Sequence, residues 1–137
     1  MTVSVNVVPF RRDSSGVILL NAGDAHARIY SEWKHLDAWK TLDVYARMLL
    51  TDVLSDYTKT SGNEVRLTGN GLSKKYRIGH RRARNLMLML EERGWIERIG
   101  LSPGPTGQAG GLYRILCITS GGKRCGGPYQ TWRAPRS

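Results

Sequence analysis

The pattern of hydrophobic and polar positions predicts a first helix that begins near Thr41. Apolar residues recur at steps of three and four between Leu42 and Tyr57, and this spacing places them on one buried face of a helix. Thr41 is predicted as the N-cap, with Asp43 in the first turn, near the positive end of the helix dipole. Small and polar residues then end the helix, and "VRL" at 65–67 predicts a short extended segment.

A turn at 77–79 separates two further predicted helices. Thr68 is predicted to cap the first of them, although the glycines of "GNG" at 69–71 are expected to delay its start. The second helix runs from about His80 to Arg93, and Gly94 stands where a left-handed C-cap residue belongs. The side chains predicted to face the core from this second helix are those of Ala83, Leu86, Met87 and Leu90.

Strand patterns flank the helices on both sides. "WIERI" at 95–99 and "LYRILCI" at 112–118 predict a hairpin around the uncharged, glycine-rich loop at 100–111. Near the N-terminus, the alternating valines of 3–8 predict a strand, for which 17–20 could be the returning partner. This N-terminal segment could alternatively become ordered only on a partner.

The order of these elements predicts an α+β fold, mostly α, of the winged helix-turn-helix type. It comprises a three-helix core followed by a C-terminal β-hairpin wing. We predict an N-terminal arm or hairpin over 1–35, the winged domain over 36–118 and a basic, flexible tail over 119–137. Tyr129 or Trp132 could instead hold that tail against the domain.

The positive charge of the chain is confined to one half of it. The 137 residues carry a net charge of +10. Residues 1–63 balance seven basic with seven acidic side chains, whereas 64–137 hold fourteen basic and four acidic ones. Such segregation is costly in self-repulsion and favours a polyanionic partner, nucleic acid above all. A membrane surface is disfavoured because the basic residues do not flank bulky apolar ones in an amphipathic helix.

Short motifs at the ends of the helices carry a family resemblance over about residues 36–99. The residues concerned are Ala38, Trp39, Leu42, Leu67, Thr68, Ile78, Leu90, Glu91, Glu92, Gly94, Trp95 and Ile96. With these residues the chain is similar to the small winged helix-turn-helix proteins of bacterial plasmids and phages, and it departs from their pattern at 69–71 and at Gly79. The resemblance implies DNA binding, but the superfamily includes repressors, activators, replication initiators and protein-interaction modules.

The stretch "KKYRIGHRRARN" at 74–85 holds two lysines, four arginines and a histidine without an acid. On a helical wheel of the last helix, Arg81, Asn85 and Leu88 point outward, with Arg84 on a flank. Since the N-terminal part of such a helix enters the major groove, Arg81, Arg84 and Asn85 are predicted to contact bases. The residues predicted to contact phosphates are Lys74, Lys75, Arg77, His80, Arg82, Arg98, Arg114, Lys123 and Arg124.

Leu88 and Met89 widen the apolar face of the last helix beyond what a three-helix core requires. Either the N-terminal hairpin or a second protomer is expected to cover them. Trp33 and Trp39 are further candidates for a dimer contact, although burial in the core is the commoner fate of tryptophan.

Enzymatic chemistry is not indicated. The histidines are scattered, and the acids form no paired arrangement in the basic half of the chain. Cys117 and Cys125 lack metal-ligand spacing. We therefore predict no catalytic residue, metal, cofactor or small-molecule ligand, no membrane association, and a cytoplasmic, nucleoid-associated location in a bacterium.

Two functions remain open at this point. The first is a sequence-specific double-stranded DNA-binding protein, a transcriptional regulator that acts as a homodimer on an inverted repeat. The alternative is a winged-helix module of a plasmid or phage replication or nucleoprotein complex, or one that binds RNA or protein. A symmetric footprint would favour the first, and an array of direct repeats the second.

Overall fold

The computed structural model of the chain describes residues 11–12, 18–19, 27–103 and 109–135. This part has an α+β fold with four α-helices, a three-stranded antiparallel sheet and a separate two-stranded ladder. In chain order, the elements are β1 (Arg11–Arg12), β2 (Ile18–Leu19), a 3-10 helix (Ser31–His35), α1 (Asp37–Lys40), α2 (Val44–Ser55), β3 (Glu64–Leu67), α3 (Gly69–Tyr76), α4 (His80–Glu92), β4 (Ile96–Pro103), β5 (Ala109–Ile115) and a second 3-10 helix (Pro128–Gln130).

The predicted first helix begins at Val44 rather than near Thr41, and its cap differs from the prediction. The short helix α1 precedes it and was not predicted. Asp43 is the N-cap of α2, and its carboxylate accepts a hydrogen bond of 2.8 Å from the Tyr45 N–H. Thr41 does not cap the helix, because its hydroxyl instead donates to the carbonyl of Asp37, at 2.7 Å, at the end of α1. An aspartate carboxylate accepts such a bond as well as a threonine hydroxyl does, so residue type alone does not decide which of the two is the N-cap.

The helix–turn–helix unit follows the predicted boundaries closely. The Thr68 hydroxyl accepts a hydrogen bond of 2.9 Å from the Gly71 N–H, which confirms it as the N-cap of α3. The helix begins at Gly69, so the predicted delay was wrong; the cap outweighs the poor helix propensity of glycine. Arg77 ends α3 in the left-handed conformation, with φ 54°. Gly94, with φ 84°, has the predicted left-handed backbone after α4.

The three-stranded sheet has the order β3-β5-β4, so the hairpin β4–β5 is extended by the short strand β3. Arg98 lies opposite Tyr113 and Glu97 opposite Arg114, with a β-bulge immediately after Arg98. Because neighbouring residues of a strand point to opposite faces, Arg98 and Arg114 lie on different sides of the sheet. The strands extend into the predicted loop at 100–111, of which 104–108 lie outside the described residues.

The core forms where α4 packs against α2, α3 and β4. The four side chains predicted to face inward from α4 are all buried, which confirms the phase of the helical wheel. The buried hydrophobic residues are Trp33, Ala38, Leu42, Ala46, Leu49, Leu50, Val53, Leu54, Leu67, Leu72, Ala83, Leu86, Met87, Leu90, Trp95, Ile96, Tyr113, Ile115, Cys117, Ile118 and Tyr129.

Residues from both predicted arms complete this core. Tyr129 is 1% exposed and stacks on Trp95, with ring centroids 4.4 Å apart and planes at 16°. Trp33 meets the edge of the same pair, at 5.1 Å from the Trp95 ring and 6.0 Å from that of Tyr129. Tyr129 therefore holds the tail against the domain, which is the alternative that the sequence left open to a flexible tail over 119–137. Trp33 belongs to the core, and its burial removes it as a dimer contact.

Gly94 allows this closure of the core. A side-chain carbon at Gly94 would lie 2.6 Å from the backbone nitrogen of Tyr129 and 2.7 Å from Pro128 Cβ. Both the positive φ and the close approach of the second 3-10 helix therefore require glycine here.

The N-terminal ladder pairs Arg11 with Leu19 and Arg12 with Ile18. A strand within 17–20 was predicted, and β2 confirms it. Its partner is Arg11–Arg12, which lies outside the strand predicted at 3–8. The strand predicted at 3–8 lies outside the described residues.

The two cysteines should differ sharply in reactivity. Cys117 is fully buried, and burial raises the pKa of its thiol to about 12, whereas Cys125 is partly exposed. Since only the thiolate reacts, and the raised pKa lowers its fraction at pH 8, we expect one thiol per chain to react with a disulfide reagent in the native protein. The second should react only after denaturation. The absorbance change of the reagent at pH 8 measures how many thiols react with and without denaturant. Two rapidly reacting thiols without denaturant would contradict this burial.

Candidate nucleic-acid interface

The outer face of α4, defined by Arg81, Arg84, Asn85 and Leu88, is exposed and lines a shallow depression of about 360 Å³. These residues point outward because the opposite side of the helix is committed to the core. None of the residues that line the depression is acidic. The structure therefore brings together the three residues predicted to contact bases.

A second depression, the basic cleft, adjoins the outer face of α4. It has a volume of about 380 Å³ and lies between the first turn of α3, the start of α4 and the hairpin. His80, Arg84 and Arg98 supply its basic groups, and no acidic residue lines it. Arg84 lines both depressions, so they form one continuous surface. The other residues that line the cleft are Leu67, Thr68, Gly69, Asn70, Met87 and Gly111.

Lys75 and Arg82 are paired with acids of α2 and its cap. The Lys75 ammonium lies 3.4 Å from the Asp52 carboxylate, and the Arg82 guanidinium lies 3.5 Å from that of Asp43. Arg82 also covers the ring of Tyr45, at 4.5 Å from its centroid. No acid lies four residues from Lys75 or Arg82 in the sequence, so local spacing gave no sign of these ion pairs. Their acidic partners lie on α2 and at its cap, far away in the sequence.

The hydroxyl of a partly buried tyrosine, Tyr76, anchors the end of α3 to Asp52. Tyr76 donates a hydrogen bond to the Asp52 carboxylate, which also pairs with Lys75. Burial raises the pKa of Tyr76 above its ordinary value, and the hydrogen bond to Asp52 raises it further. The neutral hydroxyl therefore remains a donor across the physiological pH range and holds the turn before α4 against α2.

Two other predicted phosphate contacts are also neutralised within the protein. Arg114 lies 3.9 Å from Glu64 and opposite Glu97 on the adjacent strand. Arg114 lies on the opposite side of the sheet from Arg98 and the basic cleft. Arg124 pairs with Glu32, and its guanidinium lies 4.6 Å from the centroid of the Tyr30 ring.

The remaining predicted contacts are exposed and have no carboxylate partner within the described part of the chain. Lys74 and Arg77 lie on the last turn of α3 and at its cap, whereas Lys123 lies in the tight turn after Ile118. His80, Arg81, Arg84 and Arg98 belong to the same group. Of these seven predicted contacts, all but Lys123 therefore lie on α3, at its cap, on α4 or on β4.

Of the two extra apolar residues of α4, Met89 is covered by the protein itself and Leu88 is not. Met89 is partly buried, and its sulfur accepts a hydrogen bond of 3.4 Å from the Asp43 N–H, so the start of α2 covers it. Leu88 remains 56% exposed on the outer face of α4. Sequence reasoning placed Leu88 outward but assigned it no role in binding, and it missed Gly69 and Asn70 as part of the basic cleft.

Metal binding and membrane crossing are two further properties for which the described residues can be examined directly. No three His, Cys, Asp or Glu side chains gather there in a way that could hold a metal ion. None of the helices in this part of the chain combines the length and the apolar character needed to cross a bilayer.

Comparison with protein-family models, with curated proteins and with solved structures finds no match for this chain. The outer face of α4 and the basic cleft are therefore the features from which a function is inferred.

Proposed function

We propose that the protein is a sequence-specific double-stranded DNA-binding protein with a winged helix-turn-helix fold. In this proposal, α2, α3 and α4 form the three-helix core and the hairpin β4–β5 forms the wing. The order of these elements, with a tight turn between α3 and α4, supports this assignment. Two protomers would bind an inverted repeat and regulate transcription.

One observation carries the proposal: the exposed outer face of α4 has arginines and an asparagine but no acid. A helix fits the major groove, where arginine donates to guanine O6 and N7 and asparagine pairs with adenine N6 and N7. Arg81, Arg84 and Asn85 are the side chains that would read bases. The same residues on a merely solvated face would be expected to have acids nearby for charge relief.

The basic cleft supplies the second part of the interface. A helix in the major groove places the adjoining phosphates beside its first turn and beside the preceding helix. His80 lies on that first turn, Lys74 on the preceding helix and Arg98 on β4 beside the cleft. None of the three has a carboxylate partner among the described residues. Arg114 and Arg124 have carboxylate partners on other surfaces and are not part of this interface. Lys75 and Arg82 are paired with Asp52 and Asp43 and position α3 and α4.

Selection of bound fragments from random duplex DNA tests this function directly. We expect the wild-type protein to recover one preferred motif with two-fold symmetry. Recovery of direct repeats would indicate assembly into a nucleoprotein array instead. Fragments with no common sequence would contradict specific recognition.

Arg81→Ala should separate base reading from phosphate contact. On the selected duplex we expect a loss of about 1–3 kcal/mol and relaxed preference at one base position. Lys74→Ala should instead weaken selected and random duplexes alike, since phosphates carry no sequence information. Fluorescence anisotropy on both duplexes measures the difference. An equal loss on both duplexes for Arg81→Ala would show that α4 does not read bases through this residue.

A further inference from the structure

Leu88 is an apolar side chain in the middle of a polar surface. Among the described residues, the large hydrophobic side chains that remain exposed are Val44, Met48 and Leu88, and of these only Leu88 lies on α4. It lines the same depression as Arg81, Arg84 and Asn85. Leu88 is 56% exposed, so it leaves an apolar surface among the polar residues that line this depression.

The spacing of the outer face of α4 places Leu88 within reach of bases. Arg81, Arg84, Asn85 and Leu88 stand at i, i+3, i+4 and i+7, which is one continuous stripe of a helix. Leu88 lies four residues, or about 6 Å of helix, beyond Arg84. This distance is about the rise of two base pairs, so a helix that follows the groove carries Leu88 to a base pair near those that Arg84 and Asn85 contact.

We propose that Leu88 reads the C5-methyl group of thymine in the major groove, an inference that rests on the proposed DNA-binding function. The floor of that groove presents hydrogen-bond donors and acceptors at every base pair, and its one apolar group is the thymine methyl. A leucine satisfies none of the polar groups but removes its own surface and the methyl from water together. Over a cytosine it would gain no methyl contact and would leave the amino group without a partner.

Charge argues against a second copy of the protein as the occupant. Two protomers that met through this depression would bring Arg81 and Arg84 of one chain towards the same residues of the other, with no acid in the depression to compensate. A duplex has the opposite charge and also offers the apolar group. The surroundings of Leu88 therefore favour DNA.

The test compares thymine with deoxyuridine, which differs only by the methyl group. The duplex selected by the wild-type protein is synthesised in two forms, with thymine throughout and with deoxyuridine throughout, and affinities are measured on both. We expect the wild type to bind the deoxyuridine form about fourfold more weakly for each thymine methyl that Leu88 covers. Leu88→Ala should bind both forms equally, with an affinity close to that of the wild type for the deoxyuridine form.

Met48→Ala is the matched control, because Met48 is another exposed apolar residue, 44% exposed, but lies on α2. This variant should keep the wild-type ratio between the two duplexes. Since Leu88 and Met48 are both exposed, thermal denaturation should show that both variants remain folded.

Four outcomes would overturn the inference. Equal affinity of the wild type for both duplexes, or a ratio unchanged in Leu88→Ala, would overturn the role of Leu88 while leaving DNA binding intact. A dimer that dissociates in Leu88→Ala, with the ratio retained, would assign Leu88 to a second copy. Failure of the wild type to select any duplex would instead overturn the DNA-binding function and this inference together.

Discussion

Tyr129→Ala is expected to lower the free energy of unfolding by about 3–5 kcal/mol, a large share of the stability of a small domain. The ring is 1% exposed, stacks on Trp95 and meets the edge of Trp33. Its removal would leave a cavity between two tryptophans that belong to different parts of the chain. Urea denaturation followed by circular dichroism measures the loss, and an unchanged midpoint would contradict the packing of Tyr129.

Tyr129→Phe is the control that separates the ring from its hydroxyl. The hydroxyl donates a hydrogen bond to the carbonyl of Cys125, so its loss should cost about 1 kcal/mol. The stack on Trp95 is retained in this variant. A loss as large as that of Tyr129→Ala would mean that the hydrogen bond, rather than the stack, holds the second 3-10 helix in place.

Replacement of Lys74 and Arg98 together by alanine is expected to weaken DNA binding strongly. Each phosphate contact contributes about 0.9 to the slope of log affinity against log salt, so the double variant should lose about 1.8 per protomer. At 0.1 M salt a slope that is lower by about 1.8 corresponds to an affinity about 60-fold lower per protomer. Salt titrations on the selected duplex measure both quantities. The preferred sequence should not change.

Lys75→Ala combined with Arg114→Ala is the matched control. It also removes one lysine of α3 and one arginine of the sheet, so the change in net charge is the same. Both residues have a carboxylate partner, Asp52 and Glu64 respectively, and Arg114 lies on the far side of the hairpin. We expect the slope to change by less than half as much. An equal change in both double variants would show that affinity follows total charge and not contacts made by Lys74 and Arg98.

Much of the helical framework could be predicted from the sequence because its signals are local. The steps of three and four in α4, the Thr68 cap and the glycine after the helix all act within one or two turns. The same helical wheel placed Arg81, Arg84 and Asn85 together on the surface. The cap of α2 was misassigned because Thr41 and Asp43 are both good capping residues and only the geometry distinguishes them.

The remaining features depend on contacts between distant parts of the chain. Nothing near Tyr129 in the sequence indicates that Trp95 needs a partner, and the composition around it is that of an unpacked arm. The pairing of Arg82 with Asp43 likewise joins residues that local spacing does not relate. Deletion of 119–137 would therefore remove part of the core, so it cannot test whether basic residues there contact DNA.

The stack of Tyr129 on Trp95 also governs when the protein can finish folding during its synthesis. The helices α2, α3 and α4 leave the ribosome first and can associate while translation continues at about 5–20 residues per second. The face of Trp95 stays open to water until Tyr129 has emerged. A chain interrupted before that point exposes two tryptophans, which chaperones and proteases recognise. Incomplete translation products therefore lack the closed core of the full chain.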